Sequence, residues 1–145
     1  MKKLWFKKKS HVHGSGLFTV QNIKKGTKII EYIGDKVTKK EGDKRAVKQI
    51  KQYKKNNNNG MVYVFELNKL YDIDGFVVHN HAKLINHSCN PNCEVEIIKN
   101  EIWISAIKNI NHSIAFIFFV LFNLFISSSI ALFFCNFITN IFNNL

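Results

Sequence analysis

The chain alternates short apolar runs with polar turns, which predicts several short strands rather than long helices. Strands are predicted where β-branched and aromatic residues recur, at 17–20, 29–34, 61–67, 71–75, 93–99 and 101–107. The last two strands alternate apolar and polar residues on either side of Lys99 and Asn100, which is typical of a hairpin. The pattern therefore predicts a mainly β fold.

One segment follows the helical period instead. Residues 38–55 are strongly charged, and their apolar positions are spaced to share one helical face, namely Ala46, Val47, Ile50 and Tyr53. The asparagines that follow, at 56–59 with Gly60, form a low-complexity loop. We therefore predict one amphipathic helix inserted among the strands.

Residues 86–93 form a polar run that the hydrophobic pattern does not explain. The run reads Asn-His-Ser-Cys-Asn-Pro-Asn-Cys and follows the apolar pair Leu84 and Ile85. Because buried amides and imidazoles need hydrogen-bond partners, we interpret the run as a buried polar turn that holds something. Asn86 and His87 together could grip a small polar molecule, such as an adenine ring or an amino-acid end.

The charged residues divide the chain into two regions. The formal net charge is +11, and every charged residue lies at or before Lys108. Residues 1–11 are basic, and we expect a solvated tail there, with a nucleic-acid or substrate-docking arm and a nuclear address as alternatives. Three cysteines make no disulfide framework and no secretory signal is visible, so we expect a reducing intracellular compartment.

Two glycines one residue apart, Gly14 and Gly16, precede the first predicted strand. Neither carries a Cβ, so the backbone can approach a ligand closely there. A simple turn is the alternative for this pair when it is considered alone.

Five ordered segments within residues 10–110 together resemble the SET-domain protein lysine methyltransferases. They are the glycine segment, Glu31-Tyr32-Ile33-Gly34, the strand that carries Tyr63 with Ile73-Asp74-Gly75 after it, the segment 79–87, and the polar run. His79 and Lys83 stand where the family usually has Gly and Arg. The resemblance implies a SET-domain, β-clip-like fold of several small sheets with an inserted helix.

The same resemblance implies a site. S-adenosylmethionine would be bound by Gly14, Ser15, Gly16, Tyr32, Asn86 and His87. Tyr32 and Tyr63 would be the catalytic residues that line a channel for the substrate lysine, with an ordinary core aromatic as the alternative for each. His79, His81 and His87 could suggest a metal cluster, but the cysteines complete no closed four-ligand site with them, so we expect no metal.

The chain departs from the family at its last motif. Where the family continues with Gly-Glu-Glu-Leu and then Tyr-Asp-Tyr, residues 111–116 read Asn-His-Ser-Ile-Ala-Phe and the rest is apolar. We consider a membrane anchor through 114–135, non-native sequence from a frame disruption or an unspliced stretch, and a soluble hydrophobic helix. The expected organisation is a basic tail at 1–9, a C-terminally incomplete SET domain at 10–111, and an apolar, helical tail at 112–145.

The resemblance implies an S-adenosylmethionine-dependent protein-lysine N-methyltransferase that acts on a basic protein such as a histone tail. The alternative is a catalytically inactive SET-like binding protein that its tail anchors to a membrane. We expect the nucleus or chromatin as the location, or a membrane if the tail is native. Direct nucleic-acid binding is not expected, because charge alone supports it and few aromatic residues interleave with the lysines.

Overall fold

A computed structural model describes residues 2–9, 15–55, 62–87, 91–112 and 118–119. The described strands are β1 (Trp5–Lys9), β2 (Ser15–Thr19), β3 (Lys28–Tyr32), β4 (Asp35–Thr38), β5 (Val64–Glu66), β6 (Tyr71–Asp74), β7 (Asn86–His87), β8 (Cys93–Ile98), β9 (Glu101–Ala106) and β10 (Phe118–Phe119). The helices are α1 (Lys39–Lys55) and a 3₁₀ helix (His81–Leu84). The predicted mainly β fold of small sheets with one inserted helix is confirmed.

The largest sheet, which we call the central sheet, has the strand order β3-β9-β8-β10-β7. Strand β9 pairs antiparallel with both β3 and β8, whereas β10 pairs parallel with both β7 and β8. Lys99 and Asn100 join β8 to β9 with φ of 53° and 61°, the left-handed values that a type I′ hairpin turn requires. The predicted hairpin is therefore confirmed at its turn.

A second sheet, with the order β4-β6-β5, carries α1. Ion pairs join them: Lys39 Nζ lies 2.7 Å from Glu66 and 2.6 Å from Asp72, and Arg45 Nη1 lies 2.9 Å from Asp35 and 3.1 Å from Asp74. The helix therefore docks on this sheet largely through charged and polar groups.

The predicted apolar face of α1 is only partly right. Ala46 is buried and Ile50 half-buried, but Val47 is 43% exposed. Gln49 is buried in its place, because it is three residues after Ala46 and shares its face. The side chain of Tyr53 and the loop at 56–60 lie outside the described residues.

The N-terminal segment corrects another expectation. Residues 5–9 form β1, which pairs antiparallel with β2 from Trp5 opposite Thr19 to Lys9 opposite Ser15. The expected solvated tail is therefore wrong for the backbone, although the lysine side chains are exposed. Leu4 and Trp5 pack against the core, which gives this basic segment a reason to join the fold.

One apolar core connects the elements that carry the predicted site. It contains residues of β2, β3, β5, the 3₁₀ helix, β8 and β9, namely Leu17, Ile29, Tyr32, Phe65, Ala82, Ile85, Cys93, Ile102, Ile104 and Ala106 among others. Ile23 and Ile110 close it with two reciprocal backbone hydrogen bonds of 2.8 Å.

The apolar tail is described only at β10. The predicted helical tail, and the membrane anchor considered for 114–135, therefore fall almost wholly outside the described part of the chain. Within that part, no helix is both long enough and apolar enough to cross a bilayer.

Candidate functional site

Tyr32 is buried at the end of β3, and its hydroxyl donates a 2.8 Å hydrogen bond to the main-chain oxygen of Tyr63. Its ring lies 4.4 Å from the Phe65 ring, centroid to centroid. Burial raises the pKa of the Tyr32 hydroxyl well above its ordinary value, and the charge of Asp74 adds to the shift. Tyr32 is therefore a neutral donor that links the central sheet to the strand region after α1.

Two side chains and one main-chain group from elsewhere in the chain hold the backbone of Tyr63. Its N–H donates to Oε1 of Gln49 over 2.9 Å, and its carbonyl accepts from Gly75 N over 2.7 Å as well as from Tyr32. The bond from Gly75 continues the antiparallel register of β5 and β6 by one residue pair, whereas the Tyr63 N–H bonds to a side chain. Strand β5 itself begins at Val64, after the start of the strand predicted at 61–67. The Tyr63 ring stacks on Phe76 with centroids 5.4 Å apart.

Asp74 is a buried carboxylate that organises this junction, and sequence reasoning gave it no role. Its Oδ1 accepts from Gln49 Nε2 at 3.0 Å and from Phe76 N at 3.1 Å, and its Oδ2 accepts from Arg45 at 3.1 Å. The only signal in the sequence was its place in a family-like Ile-Asp pair. Asp74 therefore fixes both Gln49 and the chain that carries Phe76.

Asn80 is a second residue that sequence reasoning passed over. Its side chain is fully buried, and its Nδ2 donates to Gly75 O over 3.0 Å. A hydrogen bond with Asn80 also acts on the Tyr32 hydroxyl and opposes the rise in its pKa. Among the described residues, Oδ1 of Asn80 has no hydrogen-bond partner. An unpaired buried acceptor costs about 1–3 kcal/mol, which a donor on a bound group would recover.

The glycine-containing strand and the Asn-His segment lie on neighbouring elements. Gly16 is buried in β2, and β2 and β3 both contact the 3₁₀ helix, which leads through Ile85 into β7. The fold thus brings β2, which carries Ser15 and Gly16, beside the 3₁₀ helix that precedes Asn86 and His87. Gly14 and the side chains of Asn86 and His87 lie outside the described residues.

Strand β10 runs beside the Asn-His segment. Phe118 stands opposite Asn86 and Phe119 opposite His87 in a parallel pair. The chain therefore returns to this turn after β9, but neither residue that it places there is a tyrosine.

His79 and Lys83, the two residues that depart from the family pattern before β7, both lie in the described part of the chain. Lys83 Nζ donates to Val77 O and lies 5.6 Å from the centre of the Phe76 ring, so Lys83 closes the turn before the 3₁₀ helix. His79 and His81 are exposed, and the His81 ring lies 5.0 Å from that of Trp5. The described part of the chain contains no group of three His, Cys, Asp or Glu side chains that could hold a metal.

The fold and this junction define the class: a β protein of small sheets in which a glycine-bearing strand and the strand of a buried tyrosine both contact the 3₁₀ helix that leads into an Asn-His strand. The sequence model of the SET domain matches residues 14–113. The chain belongs to the SET domain family.

Relatives with assigned names are similar to this chain over the same region and are named as histone-lysine N-methyltransferases. The histone-lysine N-methyltransferase trr of Drosophila melanogaster is 36% identical over 103 residues, which is 68% of this chain and 4% of the relative. The H3 lysine-4-specific histone-lysine N-methyltransferase of Schizosaccharomyces pombe is 35% identical over 107 residues, or 71% of this chain and 11% of the relative. Histone-lysine N-methyltransferase 2D of Homo sapiens is 33% identical over 90 residues, or 62% and 2%. The chain therefore spans only a small part of the curated relatives it matches.

Proposed function

We propose that this chain is the methyltransferase domain of an S-adenosylmethionine-dependent protein-lysine N-methyltransferase that acts on histone tails. One observation carries the proposal. The segment that leads to Asn86 and His87 adjoins three features of the fold. They are the strand with Ser15 and Gly16, the buried hydrogen bond between Tyr32 and Tyr63, and the Asn80 side-chain oxygen that has no partner among the described residues.

The residues present fit the cofactor. Gly16 offers backbone without a Cβ, Asn86 and His87 offer amide and imidazole groups, and the buried Asn80 Oδ1 is an acceptor in need of a donor. S-adenosylmethionine carries amino groups that could serve as that donor. When bound, it supplies an electrophilic methyl group on a sulfonium centre. Gly14, Ser15, Gly16, Tyr32, Asn86 and His87 remain the proposed binding residues.

The chain must also prepare the substrate lysine, because its amine has a pKa of about 10.4 and carries no lone pair when protonated. Aromatic walls strip water from an ammonium group and so lower its pKa, while their faces attract the cation. The stacked rings of Tyr63 and Phe76 form an aromatic surface at this junction. Tyr63 is thus the proposed channel residue. Tyr32, whose hydroxyl bonds to Tyr63 O, would act by positioning Tyr63 rather than by touching the amine.

Strand β10 is relevant to the rate at which this chain would transfer a methyl group. The family's Tyr-Asp-Tyr segment lies against its Asn-His turn, and here Phe118 and Phe119 run beside that turn. We propose that these two residues stand in for the missing segment without its phenol groups, so that methyl transfer is slow. Replacing Phe118 with Tyr should raise the rate, whereas Phe118→Leu should not.

Some relatives are named for lysine 4 of histone H3, so an H3 tail peptide is the first substrate to test, and the nucleus and chromatin are the proposed location. All three relatives described above carry enzyme names, so the inactive, membrane-anchored alternative is not favoured.

The test is incorporation of labelled methyl from S-adenosylmethionine into the H3 tail peptide. Asn86→Ala should abolish incorporation, while Asn111→Ala, which changes an exposed asparagine, should leave it unchanged. The same peptide with its lysines acetylated serves as the blank, because acetylation removes the nucleophile. Equal incorporation by Asn86→Ala and the unmodified chain would reject the assigned site.

A further inference from the structure

The positive charge of this protein is concentrated at its N-terminal end. Residues 1–30 contain eight lysines and no aspartate or glutamate, and the first acidic residue is Glu31. These thirty residues thus supply eight of the eleven net charges of the whole chain. Several of the later charges cancel inside the fold, as those of Lys39 and Arg45 do against Glu66, Asp72 and Asp74.

Strand β1 displays part of this charge on an edge. Lys7, Lys8 and Lys9 are exposed, and Lys2 and Lys3 are exposed just before the strand. Among the described strands, β1 has β2 as its only neighbour. An edge strand directs alternate backbone N–H groups away from its partner, so further donors lie along the same edge. The edge is therefore a row of cationic side chains and N–H donors.

The fold places aromatic rings of β1 and β2 against these lysines. Phe6 is 41% exposed, and its ring lies 5.8 Å from that of Phe18 on β2. Lys8 Nζ lies 6.0 Å from the centre of the Phe18 ring, and Lys3 Nζ lies 4.1 Å from that of Trp5. One exposed ring, that of Phe6, and two half-buried rings, those of Trp5 and Phe18, thus lie among the lysines of the folded chain.

The basic surface continues beyond β1. Val20 N donates to Leu4 O over 3.0 Å, which brings the chain after β2 alongside the residues before β1. There a cleft of about 260 Å³ is lined by Leu4, Gln21, Asn22, Ile23, Lys24 and Thr27. Lys24 thus extends the row of cations, and polar side chains surround it.

We propose that this surface, the basic ribbon formed by Lys2, Lys3, Lys7, Lys8, Lys9 and Lys24 with Phe6, binds the phosphate backbone of nucleic acid. Alternate side chains of an extended strand share a face, so at ~3.3 Å per residue Lys7 and Lys9 lie about 6.6 Å apart on one face, while Lys8 shares the other face with Phe6. Cations repeated along a strand in this way suit the regularly spaced charges of a polynucleotide. Lysines and backbone N–H groups commonly contact phosphate oxygens without reading the sequence. A partly exposed phenylalanine suits the face of a base where a strand is unpaired. This inference concerns a surface other than the proposed methyl-transfer site and does not depend on that activity.

The experiment measures binding of the full chain to a fluorescently labelled mixed-sequence DNA duplex by anisotropy across a range of salt. The ribbon variant is Lys7→Gln with Lys8→Gln and Lys9→Gln. The matched control is Lys40→Gln with Lys48→Gln and Lys51→Gln, three exposed lysines of α1, which removes the same charge elsewhere. No S-adenosylmethionine or peptide is added, so failure of the methyltransferase proposal cannot affect the result.

The ribbon variant should bind between about tenfold and about 100-fold more weakly near physiological salt, since each phosphate contact contributes ~0.9 to the salt exponent. The slope of log K against log salt is negative, and its magnitude should decrease by up to about 2.7 because three contacts are lost. The control should change both quantities much less. Circular dichroism and a melting curve check folding; if the triple variant does not fold, Lys8→Gln and Lys9→Gln alone should each weaken binding more than Lys48→Gln.

Two results would overturn the proposal. Equal weakening by the ribbon and control variants would show that net charge alone governs binding. Binding to phosphatidylserine vesicles without binding to the duplex would assign the ribbon to a membrane surface instead.

Discussion

Two regions of this molecule are stabilised by different physical means and meet at the candidate site. The central sheet and β2 bury aliphatic side chains, with Leu17, Ile102 and Ile104 almost wholly inside. The sheet β4-β6-β5 and α1 are joined largely by Lys39 and Arg45 through ion pairs. Apolar burial depends little on salt, whereas partly exposed ion pairs are screened by it. The first region therefore rests on packing, whereas the second adds ion pairs between α1 and its sheet to the apolar packing of residues such as Phe65 and Ala46.

The junction between the regions is the hydrogen bond from Tyr32 to the Tyr63 carbonyl. Tyr32 belongs to the apolar core, while Gln49 on α1 binds the Tyr63 N–H and Asp74 fixes Gln49. Loss of charge in the second region should therefore displace Tyr63 without dissolving the core.

The largest expected effect is in the apolar region. Ile104→Ala should lower the free energy of unfolding by about 2–5 kcal/mol, because it leaves a cavity in a fully buried site. Denaturant unfolding measures it. Val47→Ala, at an exposed aliphatic position of α1, is the control and should change stability by less than about 0.5 kcal/mol. Similar losses for both variants would contradict the assignment of the core.

In the charged region, Asp74→Ala should lower the free energy of unfolding by about 2–3 kcal/mol, because the buried Gln49 amide and the part-buried Phe76 N–H lose their acceptor and Arg45 loses one of its carboxylate partners. The control Asp43→Ala removes an exposed carboxylate of α1 and should be nearly neutral. Added salt should narrow the difference between the Asp74 variant and the unmodified chain. A difference that salt leaves unchanged would count against the charged contribution of Arg45.

At the junction itself, Tyr32→Phe should cost about 1 kcal/mol, the net contribution of one hydrogen bond to stability. Its ring still packs on Phe65, so the core should remain intact. Tyr71→Phe removes the hydroxyl of a more exposed tyrosine and should cost less. The comparison uses melting temperatures of the two variants, and a larger loss for Tyr71→Phe would contradict the account.

The smallest expected effect on the free energy of unfolding near neutral pH comes from ionisation of Cys93, which is fully buried in β8. Burial raises the pKa of its thiol from 9.0 to about 12, with the charge of Lys108 opposing the shift. The folded state therefore favours the neutral thiol. That contribution to stability is complete below about pH 9 and is lost as the pH rises toward about 12.

Unfolding free energies measured across that pH range should thus fall more steeply for the unmodified chain than for Cys93→Ala. Parallel pH profiles for the two proteins would show that the thiol does not ionise on unfolding.

Local patterns predicted much of the fold. The hairpin at Lys99 and Asn100 and the helix at 39–55 follow from short-range alternation and turn chemistry, which the sequence displays directly. Strand β1 was missed, because its lysines resemble a solvated tail and its pairing with β2 is decided by Trp5 and Leu4 reaching the core.

The candidate site was harder to predict, because its geometry comes from distant partners. Motifs indicated Tyr32 and Tyr63, but the Gln49 and Gly75 bonds that hold the Tyr63 backbone join separate segments. Asn80 had no signal beyond its place in a motif, and its buried oxygen becomes noticeable only once the side chain is packed. The parallel pairing of β10 with β7 likewise cannot be read from an apolar run.

The central claim is that the segment bearing Asn86 and His87, beside the glycine-containing strand, binds the methyl donor. Calorimetric titration of S-adenosylmethionine into the full chain tests it most directly, because binding does not require catalysis. We expect saturable binding that Asn86→Ala weakens by about tenfold or more, equivalent to ~1.4 kcal/mol, and that Asn111→Ala leaves unchanged. Equal affinity in all three proteins, or binding by none of them, would contradict the account.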